Sequence, residues 1–482
     1  MDFDISTLLP VMPEIFLLTA TCVILVIDLF LSQQSRIFTY GLALFTLLAT
    51  MAVVMAVGNG DSQTLLHGAY IHDPMGDVLK VALLAVAFFA FVYSRRYLEQ
   101  RDIFRGEFYV LAMLALLGMM VMISAGGFLS LYLGLELLAL SLYALVAFDR
   151  KSEKGSEAAM KYFVLGAIAS GMLLYGISMI YGATGMLDFA GVAKAVASGE
   201  TDKMVLLFGL VFVVIGIAFK FGAVPFHMWA PDVYEGAPVA VVAFLGSVPK
   251  IAAFAMAFRI LVEGLGGLGL GWQGWEGMLI ILAVLSLAVG NIVAIAQTNI
   301  KRMLAYSTIA HVGFILLGIV AGEGPGYTAA MFYTITYALT AVGGFGLLVI
   351  LSRKGVEAEN LHDLKGLNQR DSWLAGMMLL FMFSMAGVPP LVGFFAKLFI
   401  LDALVQTGMT WLAIVAVIFS VIGAFYYLRV VKVIYFDKPI TQVPVTGAVD
   451  ARLAISVNGL AMLYYGLFPA SLLTLCSLAI GG

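Results

Sequence analysis

Four charged side chains stand alone in long apolar stretches of this chain: Glu136, Lys220, Lys250 and Lys397. A charge at the centre of a membrane helix costs on the order of 2.5–3.5 kcal/mol on insertion scales. A lipid-facing helix has no structural use for that cost, so the four together point to a buried path for ions or protons. Glu136 lies in Leu131-Tyr132-Leu133-Gly134-Leu135-Glu136-Leu137-Leu138. A carboxylate there either ties two helices together or forms one half of a switchable ion pair with Lys220. At contact distance, with an effective dielectric near 20, the attraction is about 4 kcal/mol and would keep Lys220 protonated. Separating the pair would free that proton for a neighbour. Lys250, in Val248-Pro249-Lys250-Ile251, is the natural recipient, and Lys397, in Gly393-Phe394-Phe395-Ala396-Lys397, the far station. Long lysines often snorkel to an interface, but these two fall more than two turns inside their apolar stretches.

Other ionisable residues have weaker claims. Lys161 is either a modulator of Glu136 or a snorkelling residue, since it lies one turn inside its span. His227 and His311 have the ordinary pKa for relaying protons near neutrality, although a lone histidine on an apolar helix is often a packing residue. Lys80 and Arg259 read as interfacial snorkelling residues, and Asp28 and Arg429 as local structure.

These residues need helices to position them. The chain has 482 residues, 62% of them hydrophobic and 11% charged, with a mean hydropathy of +1.04. A soluble protein carries about a quarter charged residues, so this is an all-α polytopic membrane protein. Apolar windows give about fourteen spans, near 11–31, 37–57, 75–94, 107–124, 127–148, 157–181, 204–230, 238–262, 276–297, 301–321, 326–352, 372–406, 409–436 and 453–476. The first has no basic flank or small-residue cleavage site and reads as a retained helix rather than a signal peptide. The longest loops, about 58–74, 184–203 and 437–452, hold at most a short helix each. An amphipathic one is expected from Asp188 to Ala197.

Two spans contain proline. Pro225 cannot donate to the carbonyl of Phe221, and Pro389 and Pro390 cannot donate to those of Met385 and Ala386. Broken backbone at membrane depth is tolerated only against protein or a hydrated cavity. The two breaks lie five spans apart, each with a small-Val-Pro sequence and a nearby lysine, as in transporters built from inverted repeats. The expected division is three N-terminal helices (1–106), a first inverted repeat of spans four to eight (107–262), a second of spans nine to thirteen (276–436), and a C-terminal loop with span fourteen (437–482).

Basic loop residues set orientation. Taking alternate loops as one side, that side holds Arg36, Arg95, Arg96, Arg101, Arg105, Arg150, Lys151, Lys154, Lys301, Arg302, Arg353, Lys354, Lys365, Arg370, Lys432, Lys438 and Arg452; the other holds Lys194 and Lys203. Both termini are therefore expected on the non-cytoplasmic side. Cys22 and Cys476 lie far apart and cannot supply the four thiolates of an iron–sulfur cluster. Gly269-Leu270-Gly271-Trp272-Gln273-Gly274 matches G-x-G-x-x-G but sits in a loop outside any βαβ unit, so it is not a nucleotide site. A chain with relay residues and no redox or nucleotide motif must draw its energy from an ion gradient or from partner subunits.

The stretch Phe219 to Pro238, with Phe-Lys-Phe-Gly-Ala-Val-Pro-Phe-His-Met-Trp-Ala-Pro-Asp, resembles the antiporter-like membrane subunits of respiratory complex I, the proton-pumping NADH:quinone oxidoreductase of bacteria. So does Asn299 to His311, and the resemblance extends over the whole chain. Glu157 to Gly171 and Ala386 to Lys397 are most similar to subunits of the N type, in which the last ionisable position is lysine. The resemblance implies that Glu136 pairs with Lys220, that Lys250 follows on the eighth span, and that Lys397 closes a relay on the twelfth. It also implies a non-redox subunit without cofactor of its own, in the bacterial inner membrane. FMN and iron–sulfur clusters would be in partner subunits, and neighbouring antiporter-like and small membrane subunits would be its contacts, with no nucleic acid. The alternative is a subunit of a multi-subunit sodium/proton antiporter. An oxygen-rich cation site would mark it, whereas the interior here offers lysine.

Overall fold

The computed structural model describes residues 5–58, 60–269, 271–322, 324–352, 357–439, 445 and 448–481. Arg353, Lys354 and Leu270, which entered the reading above, lie outside them. The elements in chain order are α1 (Met12–Phe30), α2 (Ile37–Val57), a hairpin of β1 (Gln63–Leu65) and β2 (Tyr70–His72), α3 (Pro74–Gln100), α4 (Glu107–Ile123), α5 (Phe128–Val146), α6 (Glu153–Thr184), α7 (Phe189–Ser198), α8 (Lys203–Phe221), α9 (Trp229–Gly236), α10 (Val239–Leu245) and α11 (Val248–Ala257). A π-helical stretch, Phe258–Gly264, extends α11. There follow α12 (Trp275–Ala296), α13 (Ile300–Val320), α14 (Pro325–Leu351), α15 (Leu367–Arg370), α16 (Ser372–Ala386), α17 (Val392–Gln406), α18 (Thr410–Tyr435), α19 (Val449–Leu467) and α20 (Pro469–Ile480).

Among the described residues, eleven helical stretches are long and apolar enough to cross a membrane. There are twelve if α19 and α20, bent by 82° at Pro469, count as one. The remaining expected windows also hold helix, but α4 has 17 residues and 372–406 is split into α16 and α17.

Local chemistry fixes the helix ends. Asp73, Ser152, Asp202, Asn299 and Asp371 cap α3, α6, α8, α13 and α16 by accepting from backbone N–H groups in the first turn. The expected surface helix is α7: Asp188 accepts from Gly191 N at 2.7 Å, and Phe189 and Val192 are buried. The loop 58–74 departs from expectation. It forms the antiparallel hairpin, with Gln63 opposite His72, because Leu66, His67 and Gly68 adopt positive φ and turn the chain.

The bundle is layered. The run Val239–Leu261 is buried throughout and α13 nearly so, whereas α1, α2, α6 and α18 each present an apolar outer face. The fully enclosed helices carry Lys250 and His311. Close approach around them uses small residues: a Cβ on Gly118 or Gly134 would meet the other's carbonyl oxygen at 2.6 Å, so α4 and α5 touch backbone to backbone.

Lys80 and Arg259 are corrected by the structure. Both are 1% exposed and ion-paired rather than snorkelling. Lys80 Nζ lies 2.6 Å from Glu14 and donates to the Tyr70 hydroxyl at 2.9 Å, tying α1, β2 and α3. Arg259 lies 2.7 Å from Asp73 and 2.6 Å from Glu263, and its Nε donates to the Ile123 carbonyl. It thereby fastens the N-terminal helices to the end of the stretch that holds Lys250. Breaking a buried pair from one side costs about 3–5 kcal/mol. Arg259→Met is therefore expected to lower the melting temperature of the subunit in mild detergent sharply, while Arg452→Met, a half-exposed pair with Asp371, shifts it little.

Candidate functional site

The carbonyls that proline was expected to free are taken by the two buried lysines. α8 ends at Gly222, whose φ of 76° suits glycine, and α16 ends at Gly387, with φ 85°. Each glycine N–H bonds back to the last helical turn, and the prolines follow within three residues. At the first break Lys250 Nζ donates to the Phe221 carbonyl at 2.8 Å and lies 5.7 Å from the centre of a Trp229 ring. Trp229 Nε1 donates to the Phe219 carbonyl, and Ser286 Oγ accepts from Val224 N at 2.9 Å. At the second break Lys397 Nζ donates to the carbonyls of Met385 at 3.0 Å and Ala386 at 2.9 Å, and to Ser420 Oγ at 2.9 Å. Pro225, Pro389 and Pro390 themselves are exposed at the bends.

Glu136 and Lys220, both half-buried, are not in ion-pair contact: no N···O approach within 4.0 Å joins them. Glu136 instead accepts a hydrogen bond from the Ser170 hydroxyl. Ser170 and Lys220 border one void of about 20 Å³, which also meets Tyr143 and Tyr162. That is room for about one water beside Ser170 and Lys220.

His311 joins the second break to the rest. Its Nδ1 lies 2.6 Å from the Tyr333 hydroxyl and its Nε2 3.0 Å from that of Tyr427. It shares a void of about 10 Å³ with Lys397, Ser420 and Asn291. Tyr337 donates to Thr308 Oγ1 at 2.8 Å and to the Gly246 carbonyl at 3.3 Å, reaching the turn between α10 and α11. An imidazole held between two hydroxyls can accept a proton at one nitrogen and release one from the other. Among the described residues no direct hydrogen bond connects Lys250 with Tyr337.

Lys161 and His227 lie apart from this axis. Lys161 is exposed and pairs with Glu157 and Asp232, each at 2.9 Å. Asp232 also takes Arg302 at 2.7 Å, so this cluster ties α6, α9 and α13 at one end of the bundle. His227 is half-buried beside the first break, with an unpartnered Nδ1 and the Tyr306 ring nearby.

Sequence reasoning missed Ser170, Ser420, Tyr333, Tyr337 and Tyr427. Hydroxyl residues on apolar helices are common and carry no spacing signature, so only their contacts reveal them. It also placed Lys301 simply in a loop. Lys301 is fully buried and lies 3.3 Å from Glu357 and 2.8 Å from Glu359, while Arg101 lies 2.9 Å from Glu357. Burial pushes the Glu357 carboxyl up, but the Lys301 charge, hydrogen bonds from Glu359 and Tyr97, and Arg101 bring it down to about 2. A depressed carboxyl pKa adds stability above the unfolded value of 4.5 that is lost as pH falls through the folded one. Through Glu357 the subunit is therefore expected to lose stability between about pH 5 and pH 2, offset in part by Glu359, whose carboxyl is pushed up by burial and by Glu357. Glu357→Gln should flatten that part of a melting-temperature-against-pH profile.

A bundle with two proline-broken spans, each freeing carbonyls to a buried lysine, is the architecture of an ion-translocating membrane protein rather than a soluble enzyme. Residues 125–423 match the family described as NADH:quinone oxidoreductase/Mrp antiporter, TM, and the chain belongs to it. It is 57% identical over 481 residues to NADH-quinone oxidoreductase subunit N of Thioalkalivibrio sulfidiphilus, covering 100% of both chains. It is 56% identical to the subunit of the same name in Herminiimonas arsenicoxydans, covering 98% of both. A chain of respiratory complex I from Thermus thermophilus with bound aureothin is similar in structure, with a TM-score of 0.82 and 30% identity, covering 98% of this chain and 100% of that one.

Proposed function

We propose that the chain is the N-type proton-translocating membrane subunit of a bacterial NADH:quinone oxidoreductase. Its partners are the neighbouring antiporter-like and small membrane subunits of that complex. It is a non-redox subunit: NADH oxidation, FMN, iron–sulfur clusters and quinone reduction belong to other subunits, and their energy reaches this chain as a change in electrostatics or shape. The chain lies in the inner membrane with about fourteen spans. Two inverted five-span repeats follow the three N-terminal helices, and both termini face away from the cytoplasm. The single observation that carries the reading is the capture of broken-helix carbonyls by Lys250 and Lys397, within a chain 57% identical to a named subunit N along its full length.

The mechanism follows from the chemistry of these groups. Drawing Glu136 toward Lys220 favours a proton on Lys220, and moving it back to Ser170 releases that proton toward Lys250. The hydroxyls of Tyr337, Tyr333 and Tyr427 and the His311 ring continue the line to Lys397. Moving one charge against 100 mV costs about 2.3 kcal/mol, which toggling a Glu–Lys contact of about 4 kcal/mol can supply. His227, beside the first break, tunes the field there, while Lys161 holds the end of the bundle through Glu157 and Asp232.

The test uses the assembled complex in sealed vesicles with Lys220→Ala, following NADH oxidation and proton uptake together. Proton uptake per NADH is expected to fall with the complex intact. Unchanged uptake would make the buried charges structural, and uptake that requires sodium would favour an antiporter.

A further inference from the structure

We propose that the crevice enclosed by α2, α3, α14, α19 and α20 is a binding site for an aminophospholipid. One acyl chain lies in the crevice and the headgroup ammonium pairs with Asp77. The cavity measures about 660 Å³ and is walled mainly by apolar side chains, among them Val54, Val81, Ala82, Phe89, Ile335 and Leu472. Its floor is buried, with Val54 at 1% and Ile335 at 3% exposure. Its rim faces outward, with Met55 at 60% and Val457 at 52%. An opening rimmed by exposed apolar residues on a membrane-spanning surface gives onto hydrocarbon rather than water.

Size decides between occupants. Along α3 the lining runs from Pro74 to Phe89, roughly 22 Å at 1.5 Å per residue. A membrane-spanning helix of a partner, about 10 Å across and 30 Å long, is longer than the lined stretch of α3. A volume of this size is that of a small-molecule site, and its length suits a single extended chain.

Charge decides the headgroup. Asp77 lies at the end of the crevice where α2 stops and α3 begins, the level at which headgroups meet helix ends. A Cβ on Gly58, which closes α2, would come within 2.8 Å of Asp77 Oδ2. The carboxylate therefore sits between the carbonyl end of α2 and the first turn of α3, whose opposite poles offset one another there. Its ion-pair partner is His72, 3.6 Å away, whose buried Nε2 has no hydrogen-bond partner. Lys80, one turn along, is engaged by Glu14 at 2.6 Å. A part-exposed carboxylate whose one ion-pair partner is so weak has room for a further cation. A free metal cation would satisfy Asp77 and leave the apolar crevice open, whereas an ammonium-bearing lipid satisfies both. An anionic phospholipid would be repelled.

The experiment places a photo-crosslinking benzophenone amino acid at Met55 on the rim. The purified membrane assembly containing the chain is reconstituted in vesicles of equal phosphatidylethanolamine and phosphatidylglycerol, and adducts are read by mass spectrometry. The expected result is a phospholipid adduct with phosphatidylethanolamine favoured about threefold, the size of a part-exposed ion pair. Asp77→Asn is expected to bring that ratio to about one, and Ala82→Trp, which fills the crevice, to remove most of the adduct. A crosslink to a neighbouring subunit in place of lipid, an adduct without headgroup preference in the unaltered chain, or full labelling with Ala82→Trp would overturn the proposal. The readout is lipid occupancy, so it stands or falls independently of whether the chain moves protons.

Discussion

Replacing Lys397 by arginine in the assembled complex is expected to leave the subunit folded but lower NADH-driven proton uptake at least about tenfold, a barrier increase of about 1.4 kcal/mol. Lys397 holds the carbonyls of Met385 and Ala386 and the Ser420 hydroxyl. Arginine supplies donors for all three and keeps the positive charge, but it does not release a proton in a protein. A lysine that only pins the broken helix, or only tunes the field, would be replaced without loss of pumping. Lys397→Met separates the structural part. It removes charge-assisted bonds worth about 1.5–3 kcal/mol each and leaves two carbonyls unpaired at about 1–3 kcal/mol each. Methionine is therefore expected to depress both the melting temperature and proton uptake, and arginine only the second.

His311→Gln is expected to reduce proton uptake by a similar factor while shifting the melting temperature little. His311 sits between the Tyr333 and Tyr427 hydroxyls, and glutamine keeps a donor and an acceptor for them. What glutamine lacks is a ring that accepts a proton at one nitrogen while releasing one from the other, and positioned acid–base groups contribute 10²–10⁴-fold where the proton moves. His311→Phe leaves two buried hydroxyls unpaired and should destabilise the subunit as well. Equal pumping by the glutamine variant and the unaltered chain would reduce His311 to a packing residue.

Proline chemistry made much of this arrangement legible in the sequence. A residue without N–H frees the carbonyl four positions earlier, which named Phe221, Met385 and Ala386 as carbonyls without helical partners. That inference is local, whereas the capture of the Phe221 carbonyl by Lys250 depends on how α8 and α11 pack. The absence of a direct Glu136–Lys220 pair was not legible, because a distance across helices depends on how α5, α6 and α8 pack, and Glu136 takes the Ser170 hydroxyl instead. Lys80 and Arg259 looked like snorkelling residues because each lies near a span end. Their partners, Glu14 and Asp73, are distant in sequence and come together only when the N-terminal helices dock. The hairpin at 63–72 escaped notice because its turn rests on Leu66 and His67 in positive φ, which residue type does not announce.

The most direct measurement is a map of the assembled complex at a resolution that shows ordered water. The account predicts a continuous file of waters and side chains from Glu136 past Lys220 and Lys250 to His311 and Lys397, interrupted only where Glu136 swings between Ser170 and Lys220. A dry, close-packed interior separating Lys220 from Lys250, and Lys250 from Tyr337, in every state of the catalytic cycle would contradict it.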